Sequence, residues 1–253
     1  GRLSPGYIAR EWRWANRQRS LFDAYAALVT ASGHMRAEYV RNGVAPEKVH
    51  AIPLFSTLPV DPAPAPDRFS VLFLGRMTAL KGGDLLVRAV AYATALCGAS
   101  IPLLMAGDGP RMIPWLNLAA SLQVDADFHG WVNEAQRLAL LRAASVLAVP
   151  SVWPEPFGLV GLEAGSQGVP ALAFDVGGIG EWLKGGVNGH LLGPPRVETL
   201  GEALAWAATH PEELAAMRPA AAEAARAMSL DAHVDRLEAV LADAARAPAA
   251  AGG

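Results

Sequence analysis

From residue 69 onward the chain alternates short apolar runs with stretches of helical periodicity. The runs lie at 69–74, 101–106, 126–129, 146–149, 171–174 and, more briefly, 190–192; the helical stretches lie near 82–97, 110–122, 133–143, 158–168 and 178–184. A strand with one wet face alternates apolar and polar residues. Near-continuous apolar strands must be covered on both faces, and helices lying between them in sequence supply the cover. With right-handed crossovers this pattern predicts an α/β fold, a Rossmann-like doubly wound parallel sheet. Ligands of such sheets bind outside the carboxyl ends of the strands. The residues just after each run are therefore the ones to inspect.

Four regions follow from this pattern. Residues 69–228 form the α/β unit. Before it, 59–68 is a proline-rich linker, reading Pro-Val-Asp-Pro-Ala-Pro-Ala-Pro from 59 to 66, which favours a stiff extended chain. Residues 1–58 predict a helix (7–24), a strand (26–30), a helix (33–42) and a strand (49–52). Two strands and two helices make a poor independent core, so this piece reads as the end of a domain whose beginning is missing. The opening Gly1-Arg2, without Met, fits a processed or truncated chain. Beyond 200 the chain is helical over 197–209, 211–227 and 230–246. Residues 229–253 make a final helix and a tail, and the Ala/Pro/Gly-rich end should fray.

Bulk properties narrow the function. The 253 residues carry 24 acidic and 21 basic side chains, a net charge of −3, so no basic field recommends nucleic acid. Arg10, Arg13, Arg17 and Arg19, interleaved with Trp12 and Trp14, could suit a membrane surface or a single strand. Glu11 dilutes the cluster, and an amphipathic helix packed on further structure is the preferred reading. A single cysteine, Cys97, excludes an internal disulfide and fits a reducing compartment. No signal peptide and no bilayer-length apolar run is present.

The chemistry concentrates after the strands. Residues 155–163 read Glu-Pro-Phe-Gly-Leu-Val-Gly-Leu-Glu. Pro156 suits a first helical turn, because its missing N–H would be unpaired there. This predicts a helix entered near Pro156, with Glu155 in the loop before it and Glu163 inside it. The amides of Phe157, Gly158, Leu159 and Val160 would then form an anion-binding terminus. A carboxylate on each flank makes little sense for phosphate alone. It fits a diphosphate with hydroxyls on both sides, as in a nucleotide-sugar. After the first run, Arg76 and Lys81 flank one loop, as two solvated charges or as partners for a departing diphosphate.

Other motifs are weaker. Gly107-Asp108-Gly109-Pro110 lacks the third glycine of a dinucleotide fingerprint, Met112 standing in its place, and reads as a tight turn. The Gly177 to Glu181 segment permits close approach to a ligand or simply a cramped turn. Asp125-Ala126-Asp127 formally matches a metal-binding Asp-x-Asp, but it precedes a strand and so belongs at the wrong edge of the sheet. No other cluster has metal-ligand spacing.

The ordered set resembles a group 1, family-4 retaining glycosyltransferase of the GT-B fold. It comprises Gly75-Arg76 with Lys81-Gly82, Ala106 to Pro110, Gly130-Trp131-Val132, Pro150-Ser151 leading into Glu155 to Glu163, Gly168-Val169-Pro170, Gly177-Gly178 with Glu181, and Gly186 to Gly189. Residues 26–53 resemble the end of that family's first domain. The resemblance implies roles residue by residue. Arg76 and Lys81 would bind the donor diphosphate, and Glu155 would accept from hydroxyls of the donor sugar. Glu163 would hold the ribose diol. Phe157, Gly158 and Leu159 would offer amides to the distal phosphate and sugar, and the base would lie near Trp131, Val132 and Asn133.

The resemblance further implies no cofactor and no metal at the diphosphate, with a nucleotide-sugar donor and an acceptor as partners. It implies a cytoplasmic protein, with contact to the inner membrane face through the missing first domain. The family's cleft lies between two domains, so this chain would carry mainly the donor-binding half and could be inactive alone. A non-catalytic nucleotide-sugar-binding module and a nucleotide-sugar 2-epimerase on the same fold remain alternatives. Helices over 211–246 would pack in part against the missing domain and leave apolar stripes exposed.

Overall fold

A computed structural model describes residues 4–246; the tail expected to fray, 247–253, lies outside them. The elements run α1 (Pro5–Leu21), β1 (Leu28–Thr30), α2 (Gly33–Arg41), β2 (Val49–Ala51), β3 (Val71–Leu74), α3 (Gly83–Cys97), β4 (Leu103–Ala106), α4 (Met112–Ser121), β5 (Ala126–Gly130) and α5 (Glu134–Ala143). They continue through β6 (Val146–Val149), α6 (Val160–Ser166), β7 (Ala171–Phe174), β8 (Gly189–Leu192), α7 (Val197–Thr209), α8 (Pro211–Ala216), α9 (Arg218–Ala227) and α10 (Leu230–Arg246).

Six strands make one parallel sheet in the order β5-β4-β3-β6-β7-β8. The chain starts in the middle with β3, winds outward through β4 and β5, then returns to the other side of β3 with β6. That reversal is the switch point of a Rossmann-type sheet. The apolar runs that predicted the sheet are buried on both faces. Val71, Phe73, Met105, Val146 and Leu172 face the layer formed with α3, α4 and α7. Leu72, Leu147, Val149, Ala171 and Ala173 face the layer containing Leu141, Leu162 and Trp182.

Two helical expectations fail locally. The stretch near 178–184 holds only a 3-10 turn, Ile179–Glu181; Gly177, with φ +64, bends the chain just before it. The stretch at 211–227 breaks at Met217 into α8 and α9. Pro219 has no N–H to continue the ladder, and its ring crowds the preceding turn, so the helix restarts there.

The proline-rich segment is extended and lies along the end of α6. Asp61 N donates to Ser166 O (2.8 Å), Ala63 N to Gln167 O (3.1 Å), and Gln167 Nε2 to Pro59 O (2.9 Å). Buried Arg218 donates to the carbonyls of Ala63, Pro64 and Gln167.

Before this segment, β1 and β2 form a two-stranded parallel sheet beside α2. α1 buries no residue and exposes Trp12 and Trp14. α10 likewise buries none and exposes Leu230, Val234 and Leu241. Its His233 Nδ1 donates to Pro53 O (2.7 Å), so α10 reaches back to the leading segment. Among the described residues no helix is long and apolar enough to cross a membrane.

Candidate active site

The turns after β3, β4 and β5 are stitched together at the carboxyl edge. Gly75 N donates to Ala106 O (3.0 Å), Met77 N to Asp108 O (2.8 Å) and Gly107 N to Gly130 O (2.7 Å). Gly107, at φ +133, is required here: a Cβ would lie 1.8 Å from Gly75 O. The Gly-Asp-Gly-Pro turn thus lets two loops meet, as a tight turn should. Asp125, in contrast, sits before β5 and pairs with Arg68, away from this edge.

Beside these turns lies a cleft of about 480 Å³. Gly75 and Arg76 line it from β3, Gly107 to Gly109 from β4, and Trp131 and Val132 from β5; Arg137 of α5 and Val160 and Glu163 of α6 close it. Trp131 is 76 % exposed, an indole face held in solvent at the rim. Asn133 is not part of the lining. Its Oδ1 accepts from Gln136 N (2.9 Å) while Gln136 Oε1 accepts from Asn133 N (3.0 Å), a capping box that fixes the start of α5.

Glu163 reaches the cleft from the first turn of α6. Arg137 Nη1 donates to its Oε1 at 2.7 Å, with the two side chains 28 % and 15 % exposed. Burial pushes the Glu163 pKa up; the Arg137 guanidinium pulls it back and Glu134 adds to the rise, leaving it raised overall.

The second acid stands elsewhere. Lys81 Nζ donates to Glu155 Oε1 at 2.6 Å, joined by Ser151 Oγ (2.5 Å) and Trp153 Nε1 (3.2 Å). Glu155 is 4 % exposed. Its Oε2 accepts no bond among the described residues, yet it is not sealed from solvent. The pair exists because the loops after β3 and β6 adjoin at the switch point. Val152 N donates to Leu80 O (3.0 Å), and Gly82, at φ +67, sits where a Cβ would meet Pro150 O at 1.9 Å.

The helix expected from Pro156 begins instead at Val160 and is seven residues long. Glu155 is held extended by a bridge to Gly177, and its carbonyl accepts from Gly178 N (2.7 Å). Phe157 is 1 % exposed, a core side chain whose carbonyl accepts from Trp182 Nε1 (2.8 Å). Gly158 has φ +83, which no helix interior tolerates. The two carboxylates therefore do not bracket one helix terminus. Each has its own cation and its own surroundings. The amides of Gly158, Leu159 and Val160 still donate to no acceptor among the described residues.

Of the residues expected from sequence, Arg76, Trp131, Val132 and Glu163 share the cleft. Lys81 and Glu155 form a separate pair nearby. Arg137 was missed: three residues after Glu134 on a helix, it reads as a solvated surface charge. Its closeness to the Trp131-Val132 turn was the only available signal.

The family model for glycosyl transferases group 1 matches residues 57–224. A D-inositol 3-phosphate glycosyltransferase of Rhodococcus erythropolis is 38% identical over 170 residues, 62% of this chain and 38% of that protein. One from Streptomyces griseus is 35% identical over 176 residues, 65% of this chain and 37% of its own length. The chain thus spans well under half the length of these curated relatives. Among solved structures, Anabaena HepE in complex with UDP and glucose superposes with a TM-score of 0.76 at 20% identity, over 86% of this chain and 63% of that one. A TarM mutant of S. aureus, in a complex that includes UDP, gives 0.78 at 16% identity, over 87% and 44%. These likenesses give the sheet its place in the GT-B fold. With two thirds of its length inside the family match, the chain belongs to the glycosyl transferases group 1.

Proposed function

We propose that this chain is the donor-binding part of a retaining glycosyltransferase that takes its sugar from a nucleoside-diphosphate carrier. The observation that carries the reading is the cleft beside the turns after β3, β4 and β5. It presents a cation with no ion-pair partner among the described residues, Arg76, a carboxylate, Glu163, and an aromatic rim, Trp131, within one concavity.

These groups suit three parts of such a donor. A carboxylate is an acceptor-only group matched to a vicinal diol, so Glu163 takes the ribose. Trp131 and Val132 take the base. Arg76 faces the diphosphate, and Lys81, from the same loop after β3, is a second cation for it; an ammonium carries three donors, and Glu155 uses one of them. As the sugar–oxygen bond breaks, negative charge grows on the diphosphate, and cations already in place stabilise it. No metal is required for that charge. Glu155 Oε2 is the acceptor left for a donor-sugar hydroxyl. The acceptor substrate would be held by a first domain facing this edge.

A thermal-shift screen against UDP, GDP, ADP and their sugars tests the reading. A ligand that binds only the folded form raises stability by about 2.7 kcal/mol at a hundredfold excess over Kd. One of these nucleotides should raise Tm. Glu163→Ala should weaken it by about 1.5–3 kcal/mol, the scale of hydrogen bonds to a charged group. No shift with any of them would refute the donor site.

A further inference from the structure

Glu163 faces a conflict that its own position creates. Burial disfavours its charge, as does Glu134 on the neighbouring helix. Yet both of its oxygens accept only when it is ionised. Arg137 meets this conflict. Nη1 of its guanidinium holds Glu163 Oε1 at 2.7 Å. Glu163 Oε2 accepts nothing among the described residues and is not sealed from the cleft.

The backbones that carry both side chains are fixed. Arg137 N donates to Asn133 O (2.8 Å), one turn inside the capping box of α5. Glu163 N donates to Leu159 O (3.1 Å) at the first turn of α6. The ion pair thus joins two successive helices across the cleft. Other charges near it are Glu134 on α5, 3.8 Å from Arg137 Nη2, Arg76 after β3, and Asp108 after β4, whose Oδ1 is engaged by Gly109 N.

We propose that Arg137 is a positioning residue of the donor cleft: by occupying Oε1 it keeps Glu163 ionised and turns Oε2 toward the ribose diol of a bound nucleotide. This rests on the donor-site reading above. It adds that the carboxylate works only while its guanidinium partner is present.

The test is calorimetric titration of the chain with whichever of UDP, GDP or ADP binds most tightly, between pH 5.5 and 9. Wild type, Arg137→Leu, Arg137→Gln, Arg137→Lys and Glu163→Gln are compared. The diphosphate's own titration is common to all and cancels in the ratio of variant to wild-type Kd. Without the guanidinium, Glu163 holds its proton to higher pH. The Arg137→Leu and Arg137→Gln ratios should therefore be largest at pH 5.5, up to about tenfold for each unit by which the Glu163 pKa rises, and fall steadily toward pH 9. Arg137→Lys should restore most of the affinity. The Glu163→Gln ratio, in contrast, should not fall as pH rises.

A wild-type chain that binds none of the nucleotides overturns the donor site and this inference with it. Wild-type binding with Glu163→Gln weakened, but with a flat ratio for both neutral Arg137 variants, overturns this inference alone.

Discussion

Lys81 Nζ and Glu155 Oε1 stand 2.6 Å apart across 74 positions of sequence. The pair lies between the loops after β3 and β6, so it clamps the sheet where its winding reverses. Glu155 is almost fully buried, and Lys81 is its only cation among the described residues. Lys81→Met should cost about 3 kcal/mol, because the carboxylate is left buried and uncompensated. Glu155→Gln should cost less, since an amide oxygen still accepts from Ser151 and Trp153. Urea unfolding of both single variants and the double variant completes the cycle. Strictly additive costs would show that the two residues are not coupled.

Glu163 carries a cost in stability for its place in the cleft. Its folded pKa is raised above 4.5, chiefly by burial. Such a group favours the folded state fully below its unfolded pKa, and that contribution is lost as pH rises through the folded value. Glu163→Gln cannot ionise and keeps an oxygen for Arg137. Its Tm should therefore gain on wild type as pH goes from 4 to 7. A Tm difference that falls over this range would contradict the sign of the shift.

Gly161 is fixed by a ring. A Cβ there would lie 2.1 Å from Trp182, whose indole N–H holds the Phe157 carbonyl. Gly161→Ala should destabilise by about 1–3 kcal/mol through overpacking and lower Tm by roughly 2–4 °C per kcal/mol. Gly180→Ala serves as the control, because its Cβ would meet nothing within 4 Å. Scanning calorimetry that ranks the two alike would remove Trp182 as the reason for the glycine.

Arg218 holds the proline-rich strap. Without its guanidinium, the carbonyls of Ala63, Pro64 and Gln167 lose a charged donor. Arg218→Ala should cost about 2–3 kcal/mol. Hydrogen exchange should show the Ala63 amide, bonded to Gln167 O, losing protection more than the strands do. Unchanged exchange across 59–66 would mean that the strap is held by other contacts.

Much of the fold was legible because parallel strands buried on both faces leave an apolar record, as 71–74, 146–149 and 171–174 do. Arg76 could be found for the same reason, directly after a strand end, and Glu163 from its spacing to Glu155. The start of α6 was not legible. Pro156 permits a helix, but the bridge of Glu155 to Gly177 and the seat of Phe157 under Trp182 hold the chain extended, and those partners are distant in sequence.

The sequence by itself determined the class of sheet, the edge at which the cleft lies and several of the residues around it, because periodicity and position relative to strands are local properties. Which cation answers which carboxylate was decided only by tertiary structure. Lys81 meets Glu155 because the strand order reverses between β3 and β6, and Arg137 meets Glu163 because two helices converge on one cleft. An ion pair needs its charges within a few ångströms, and only the folded chain brings residues 74 and 26 positions apart to that distance.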